Sequence, residues 1–178
     1  FTLVLSSSFF AMLLLYYKAR QLRKNITAYI PMQKVIPLLN AVKEDKEVPY
    51  EATNLVYPTR SNSPTKLDST VFYSLFRKRP RRAEVVWFLH IDIISDPWGV
   101  HYTVNEVIDK SCYYVNLQLG FKEEHRIEHM MKKIHSKMVE KGELSGESAF
   151  ASVRGQFDHP DFKFIVLNSR ISMDNLLT

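Results

Sequence analysis

The 178-residue sequence predicts a mixed α/β fold: a mixed β-sheet with flanking helices, preceded by the end of a transmembrane helix. Three observations predict it. An apolar, uncharged run closed by basic residues opens the chain. Residues 84–94 and 112–121 are strongly apolar and alternate with period two. Apolar residues at helical spacing fill the stretches around residues 67–76 and 127–138.

Residues 2–17 read TLVLSSSFFAMLLLYY, and Lys18, Arg20, Arg23 and Lys24 follow. The first 43 residues contain six of the 24 Lys and Arg and no Asp or Glu. The remaining eighteen basic residues face all 19 acidic ones. The net charge of +5 therefore sits beside the apolar run, which argues against a nucleic-acid-binding surface. Sixteen helical residues span about 24 Å, short of the ~30 Å hydrocarbon core, so they read as the inner end of a longer span. A signal peptide carries its positive charges before the apolar stretch, and here they come after it. A buried helix of a soluble domain is the other alternative, but no polar face appears. Lys and Arg stay on the cytoplasmic side, which predicts that residues 25–178 are cytoplasmic. Lys18, Arg20, Arg23 and Lys24 would meet the lipid headgroups. Phe1 is not a start methionine, so the chain is expected to begin inside a longer protein. The single Cys112 excludes an internal disulfide and suits a reducing compartment.

Residues 1–24 are thus assigned to the membrane helix and basic stem, 25–49 to a linker with a short helix, and 50–178 to an α/β domain. Within the linker, Val35, Ile36, Leu38, Leu39 and Val42 suit a short helix, with Pro31 and Pro37 as breaks. Residues 43–49 (KEDKEVP) form a polar hinge. TNLVY at residues 53–57 is β-branched and apolar, a strand. Ser63-Pro64 is an N-cap followed by a first-turn proline, opening a helix with Leu67, Val71 and Leu75 on one face. In residues 84–94, Val85, Trp87, Leu89, Ile91 and Ile93 share one face, and Val86, Phe88, His90 and Asp92 the other. Apolar residues on both faces predict a central, doubly covered strand.

Asp96-Pro97-Trp98-Gly99 is a turn, and residues 101–108 suit an edge strand. Residues 112–121 form a strand. Residues 124–141 form an amphipathic helix that buries Ile127, Met130, Met131, Ile134 and Met138 and ends at Gly142. Residues 144–154 have no period and read as a loop. FKFIVL at residues 162–167 is a last strand. The order β-α-β-β-β-α-β predicts a parallel pair around the first helix. The middle three strands are close enough for hairpins, hence the mixed sheet.

Several strings in order resemble the cytoplasmic end of Kup/HAK/KT-type potassium uptake permeases. They are YYKAR (16–20), ATNLVY (52–57), VFYSLFRKRPRRAEVVWFLHIDI (71–93), NLQLGF (116–121), FKFIVL (162–167) and SMDN (172–175). Residues 142–155 match least. The resemblance implies a proton-coupled potassium symporter of the bacterial plasma membrane, with about a dozen helices of which this chain keeps the end of the last. Potassium ion and proton sites would lie in the absent part. It also implies a homodimer and, in some Gram-positive members, control by cyclic di-AMP. The competing reading is a membrane-tethered α/β nucleotide-sensing module unrelated to ion transport.

No enzymatic site emerges from the residues. His125-Arg126-Ile127-Glu128-His129 spells H-x-x-E-H, the inverted zinc-peptidase motif. The helical phase, however, puts both histidines opposite the buried arc, so neither a catalytic nor a metal site is expected. Arg77, Lys78, Arg79, Arg81 and Arg82 crowd a helix end. They suit the helix dipole, an anionic lipid surface or the phosphates of a nucleotide, and the sequence leaves all three open. His90 and Asp92 lie towards the carboxyl end of the central strand, where α/β sheets bind ligands. Asn54, and Asn116 or Gln118, are candidates for the same crevice, against the alternative of polar groups that pair locally. The ligand-binding candidates are therefore His90, Asp92, Asn116, Arg81 and Arg82, but strand length separates Arg82 from His90 by about 27 Å. Trp98, His101 and Tyr102 suit a base-stacking cluster or a simple cap on the sheet edge.

Overall fold

The computed structural model describes residues 2–26, 28–78, 80–157 and 160–167, without the side chains of residues 21–26 and 78. The predicted readings of Arg23, Lys24, Arg79 and residues 168–178 fall on side chains or residues outside that description.

Helix α1 runs over Thr2–Ile26. Its first 19 residues, Thr2–Arg20, are long and apolar enough to cross a membrane, and none of them is buried in the fold. Lys18 and Arg20 are exposed at the end of this stretch.

Strand β1 (Tyr29–Pro31) leads directly into α2 (Met32–Glu44). The helix runs through Pro37 where a break was expected. Pro37 lies on the exposed side, where solvent can replace the one donor it lacks. On the other side Met32, Val35 and Leu39 are buried.

Strand β2 spans Tyr50–Pro58. The segment after it departs from the sequence reading. Ser63 does not cap a helix; residues 66–68 form strand β3 (Lys66–Asp68), antiparallel to β1. The cap is Asp68, whose carboxylate accepts the backbone N–H of Thr70 at 2.8 Å. Helix α3 (Ser69–Phe72) then widens into a π-helical turn, Tyr73–Lys78. Leu67, Val71 and Leu75 are all fully buried, so their spacing was legible although Leu67 lies on a strand. Backbone bonds from Met32 to Thr65 (2.8 Å) and from Ser69 to Ala28 (2.9 Å) tie the segment after α1 into this region.

Strands β4 (Arg82–Ile94), β5 (Val100–Ile108) and β6 (Cys112–Gly120) follow, then α4 (Ile127–Glu140) and β7 (Phe162–Phe164). The main sheet is mixed, with order β5-β6-β4-β2-β7. Strand β4 is parallel to β2 as predicted, and β7 is parallel to β2. Only β5 and β6 form a hairpin; β4 skips β5 and pairs in parallel with β6. β5 is the predicted edge strand.

Two helical layers cover the sheet. Helices α2 and α3 close one face over Leu55, Tyr57, Val86, Phe88, Cys112 and Tyr114. Helix α4 closes the other over Val85, Trp87, Leu89, Tyr113, Val115 and Leu117. Double cover of β4 holds from Val85 to Leu89 and then lapses, leaving Ile91 and Ile93 exposed. Helix α4 ends at Gly142, whose φ of +75° suits glycine. Gly142 N–H bonds Val139 and Glu143 N–H bonds Met138, both at 2.9 Å, which satisfies two end carbonyls. Gly120 is required for a different reason. The turn at residues 96–99 folds over it, and a Cβ there would lie 2.8 Å from Pro97 O and Trp98 Cα.

Candidate functional site

Beyond the cover of α2 and α3, one face of the sheet turns polar at the carboxyl ends of β4 and β6. The register sets His90 beside Asn116 and Asn116 beside Thr103. One step along, Asp92 stands beside Gln118 and Gln118 beside His101. Register partners share a face, so these six residues form two adjacent rows across three strands. His90 is half-buried, with Nδ1 3.2 Å from the carbonyl of Thr59. Asp92 is exposed. The Oδ1 atom of Asn116 is buried with no partner among the described residues. An unmatched buried acceptor is costly, and this one lies in the row beside His90.

Asn54, also expected in this crevice, lies elsewhere. Its side chain sits on the α4 side and accepts a hydrogen bond from Trp87. His101 and Tyr102 point to opposite faces of β5, and Trp98 projects from the turn at 64% exposure, so the three do not form one cluster.

Arg81 and Arg82 lie at the other end of β4. They line a narrow cleft of about 20 Å³ with residues of α2, including Leu39, Asn40 and Lys43, with Glu84 of β4, and with Ser111 and Cys112 where β6 starts. Lys43 Nζ donates to Ser111 Oγ at 2.7 Å. Arg82 donates from an outer nitrogen to the carbonyl of Asp45 at 3.2 Å, and its guanidinium lies 5.3 Å from the centre of the Tyr50 ring. The Nε atoms of both arginines are buried without partners. Nearby, the Tyr57 hydroxyl is buried; burial pushes its pKa up to about 12, against the opposing effects of the Arg81 charge and its hydrogen bond. No local pattern marks Lys43, because only the packing of α2 brings it here. The five candidates thus divide into two groups at opposite ends of one strand, and a single protomer cannot place both on one small ligand.

His125 precedes α4 and His129 is in its first turn; both are exposed. They border an open surface depression with Glu128. Among the described residues no three His, Cys, Asp or Glu side chains are grouped to hold a metal ion. Cys112 is fully buried, and burial pushes its thiol pKa up, the opposite of an activated nucleophile.

Residues 52–178 match the family profile for the K+ potassium transporter C-terminal domain. The sequence is 33% identical over its whole length to a protein of Cytophaga hutchinsonii named "probable potassium transport system protein Kup". It is also 33% identical, over 98% of the chain, to a protein of the same name from Flavobacterium johnsoniae. A Clostridium perfringens protein with that name is 28% identical over 92% of the chain. The chain spans about a quarter of the length of these curated relatives, 27%, 26% and 24% respectively. No solved structure matches. With more than half its length matched by the profile, the chain belongs to the K+ potassium transporter C-terminal domain family.

Proposed function

We propose that this chain is the C-terminal portion of a proton-coupled potassium uptake permease, with α1 in the plasma membrane and residues 25–178 in the cytoplasm. The observation that carries the proposal is the full-length match to proteins named for potassium transport, each about four times longer than this chain. The charge pattern supports the orientation, since Lys18 and Arg20 close the apolar stretch of α1. In this reading the domain is regulatory and dimeric, and the transported ions bind elsewhere.

The regulatory ligand is proposed to bind at the carboxyl-end rows, through His90, Asp92 and Asn116. Cyclic di-AMP is the named candidate: the amino group of an adenine base is the kind of donor that Asn116 Oδ1 lacks. Arg81 and Arg82 of the same protomer are too distant to take part.

The test is growth of a potassium-uptake-deficient host on low potassium, with the whole protein and with a version ending at residue 24. The whole protein is expected to restore growth; failure to move potassium rejects the permease reading. Unchanged uptake and control by the shortened version rejects a regulatory role for the domain. A cysteine replacing exposed Lys141 should resist an impermeant thiol reagent in sealed cells and react after lysis. Calorimetry of the full chain with micromolar cyclic di-AMP tests the ligand, with His90→Ala expected to abolish binding.

A further inference from the structure

We propose that the cleft between the end of α2 and the amino ends of β4 and β6 binds a phosphate group, held by Lys43, Arg81 and Arg82. Three cations from two distant stretches of chain line this narrow space. Among the described residues none of them has an ion-pair partner. One carboxylate, Glu84, lines the same cleft and accepts from Tyr50 Oη at 2.9 Å, so three cations face a single negative charge. Gathering like charges in a partly enclosed cleft is unfavourable unless something of opposite sign offsets it.

The donors are held in place yet unsatisfied. The stack on Tyr50 and the bond to the Asp45 carbonyl fix the Arg82 guanidinium. Both arginine Nε atoms are removed from solvent without an acceptor. Lys43 uses one ammonium proton on Ser111 and has two more. A tetrahedral oxyanion supplies acceptors to guanidinium and ammonium together and offsets their mutual repulsion. The apolar side chains Leu39, Val86 and Ile108 narrow the interior of the cleft, so the phosphate would sit at its mouth among the three cations. The bound group would bridge α2 to the sheet and so fasten the segment that follows α1.

Two sources offer this chemistry, free inorganic phosphate and the phosphate of an anionic lipid. The full chain in neutral detergent is heated with inorganic phosphate, or with chloride at equal ionic strength, while amide exchange in α2 is followed. A free source predicts a saturable rise in Tm and slower exchange in α2 with phosphate alone. A lipid source predicts no response to free phosphate, and slower α2 exchange in phosphatidylcholine vesicles only when phosphatidic acid is added. Either response should be lost in Lys43→Met and in Arg81→Gln with Arg82→Gln. It should persist in Arg77→Gln, an exposed cation outside the cleft, and in His90→Ala. If the arginine variants do not fold, Lys43→Met decides alone, because its side chain is exposed. A rise that does not saturate and is equal in chloride, a response that survives Lys43→Met, or no response to either source overturns the proposal.

Discussion

The indole Nε1 of Trp87 donates a 2.9 Å hydrogen bond to the side-chain carbonyl of Asn54, linking β4 to β2 within the layer closed by α4. Both residues are fully buried. Asn54 also ties in β7, through its backbone N–H to the carbonyl of Asp161 at 3.1 Å. Its amide is therefore a structural connector that lets a tryptophan occupy the core without an unmatched N–H. Asn54→Leu keeps the volume but removes the acceptor, and should cost about 1–3 kcal/mol. Urea unfolding with tryptophan fluorescence measures this; a loss under 0.5 kcal/mol would show that the bond contributes little.

A second prediction concerns Gly120. Its φ is unremarkable, so the demand for glycine is one of space alone. Gly120 N–H bonds Gly99, Phe121 N–H bonds Asp96 and Lys122 N–H bonds Pro97, which clamps the turn against the strand end. The methyl group of Gly120→Ala would meet backbone atoms at 2.8 Å, and backbone cannot swing aside as a flexible side chain can. The expected cost is about 1–3 kcal/mol, as for overpacking. A variant as stable as the parent in urea contradicts the close approach.

The period-two strings at 84–94 and 112–121 revealed their strands because each side chain reports one face of a sheet. The covering helices announced themselves through their apolar spacing. Strand β3 was hidden because three residues are too few to show a period, and Ser63-Pro64 imitates a helix start. The skip of β4 over β5 was hidden because neighbours in sequence usually pair, and nothing local says otherwise. At the candidate site, His90 and Asn116 were legible as polar positions in apolar strands. The register that sets them side by side is a tertiary fact. Asn54 shows the limit: the same polar-in-apolar signal marked a residue that the tryptophan uses internally.

The H-x-x-E-H string should be inert. His125 lies outside α4, so the two histidines are not one turn apart on a helix face. Glu128 is already paired with Lys132 at 2.7 Å. Double substitution of His125 and His129 by Ala should change stability by less than about 0.5 kcal/mol, as at exposed sites. Elemental analysis of the purified full chain should find no stoichiometric zinc that the double variant loses.

The last prediction is a loss of stability in alkali, with an onset set by Cys112. Burial pushes the thiol pKa up in the folded chain. Burial also pushes Tyr57 and Tyr114 up to about 12. In the unfolded chain a thiol titrates near 8.5 and a tyrosine near 10. Below about pH 8.5 both states keep these protons, and the groups add no pH dependence. Above it the unfolded chain loses the thiol proton while the folded chain holds it. The unfolded state then binds fewer protons, and stability falls by up to about 1.4 kcal/mol per pH unit for each such group. Cys112→Ala should lower stability at neutral pH through lost packing, yet flatten the decline between pH 8.5 and 10. The tyrosines then renew the fall above pH 10 in both proteins. Urea midpoints at pH 7.5, 9.5 and 11 separate the two phases. An equal decline from pH 7.5 to 9.5 in parent and Cys112→Ala would mean that the buried thiol does not set the onset.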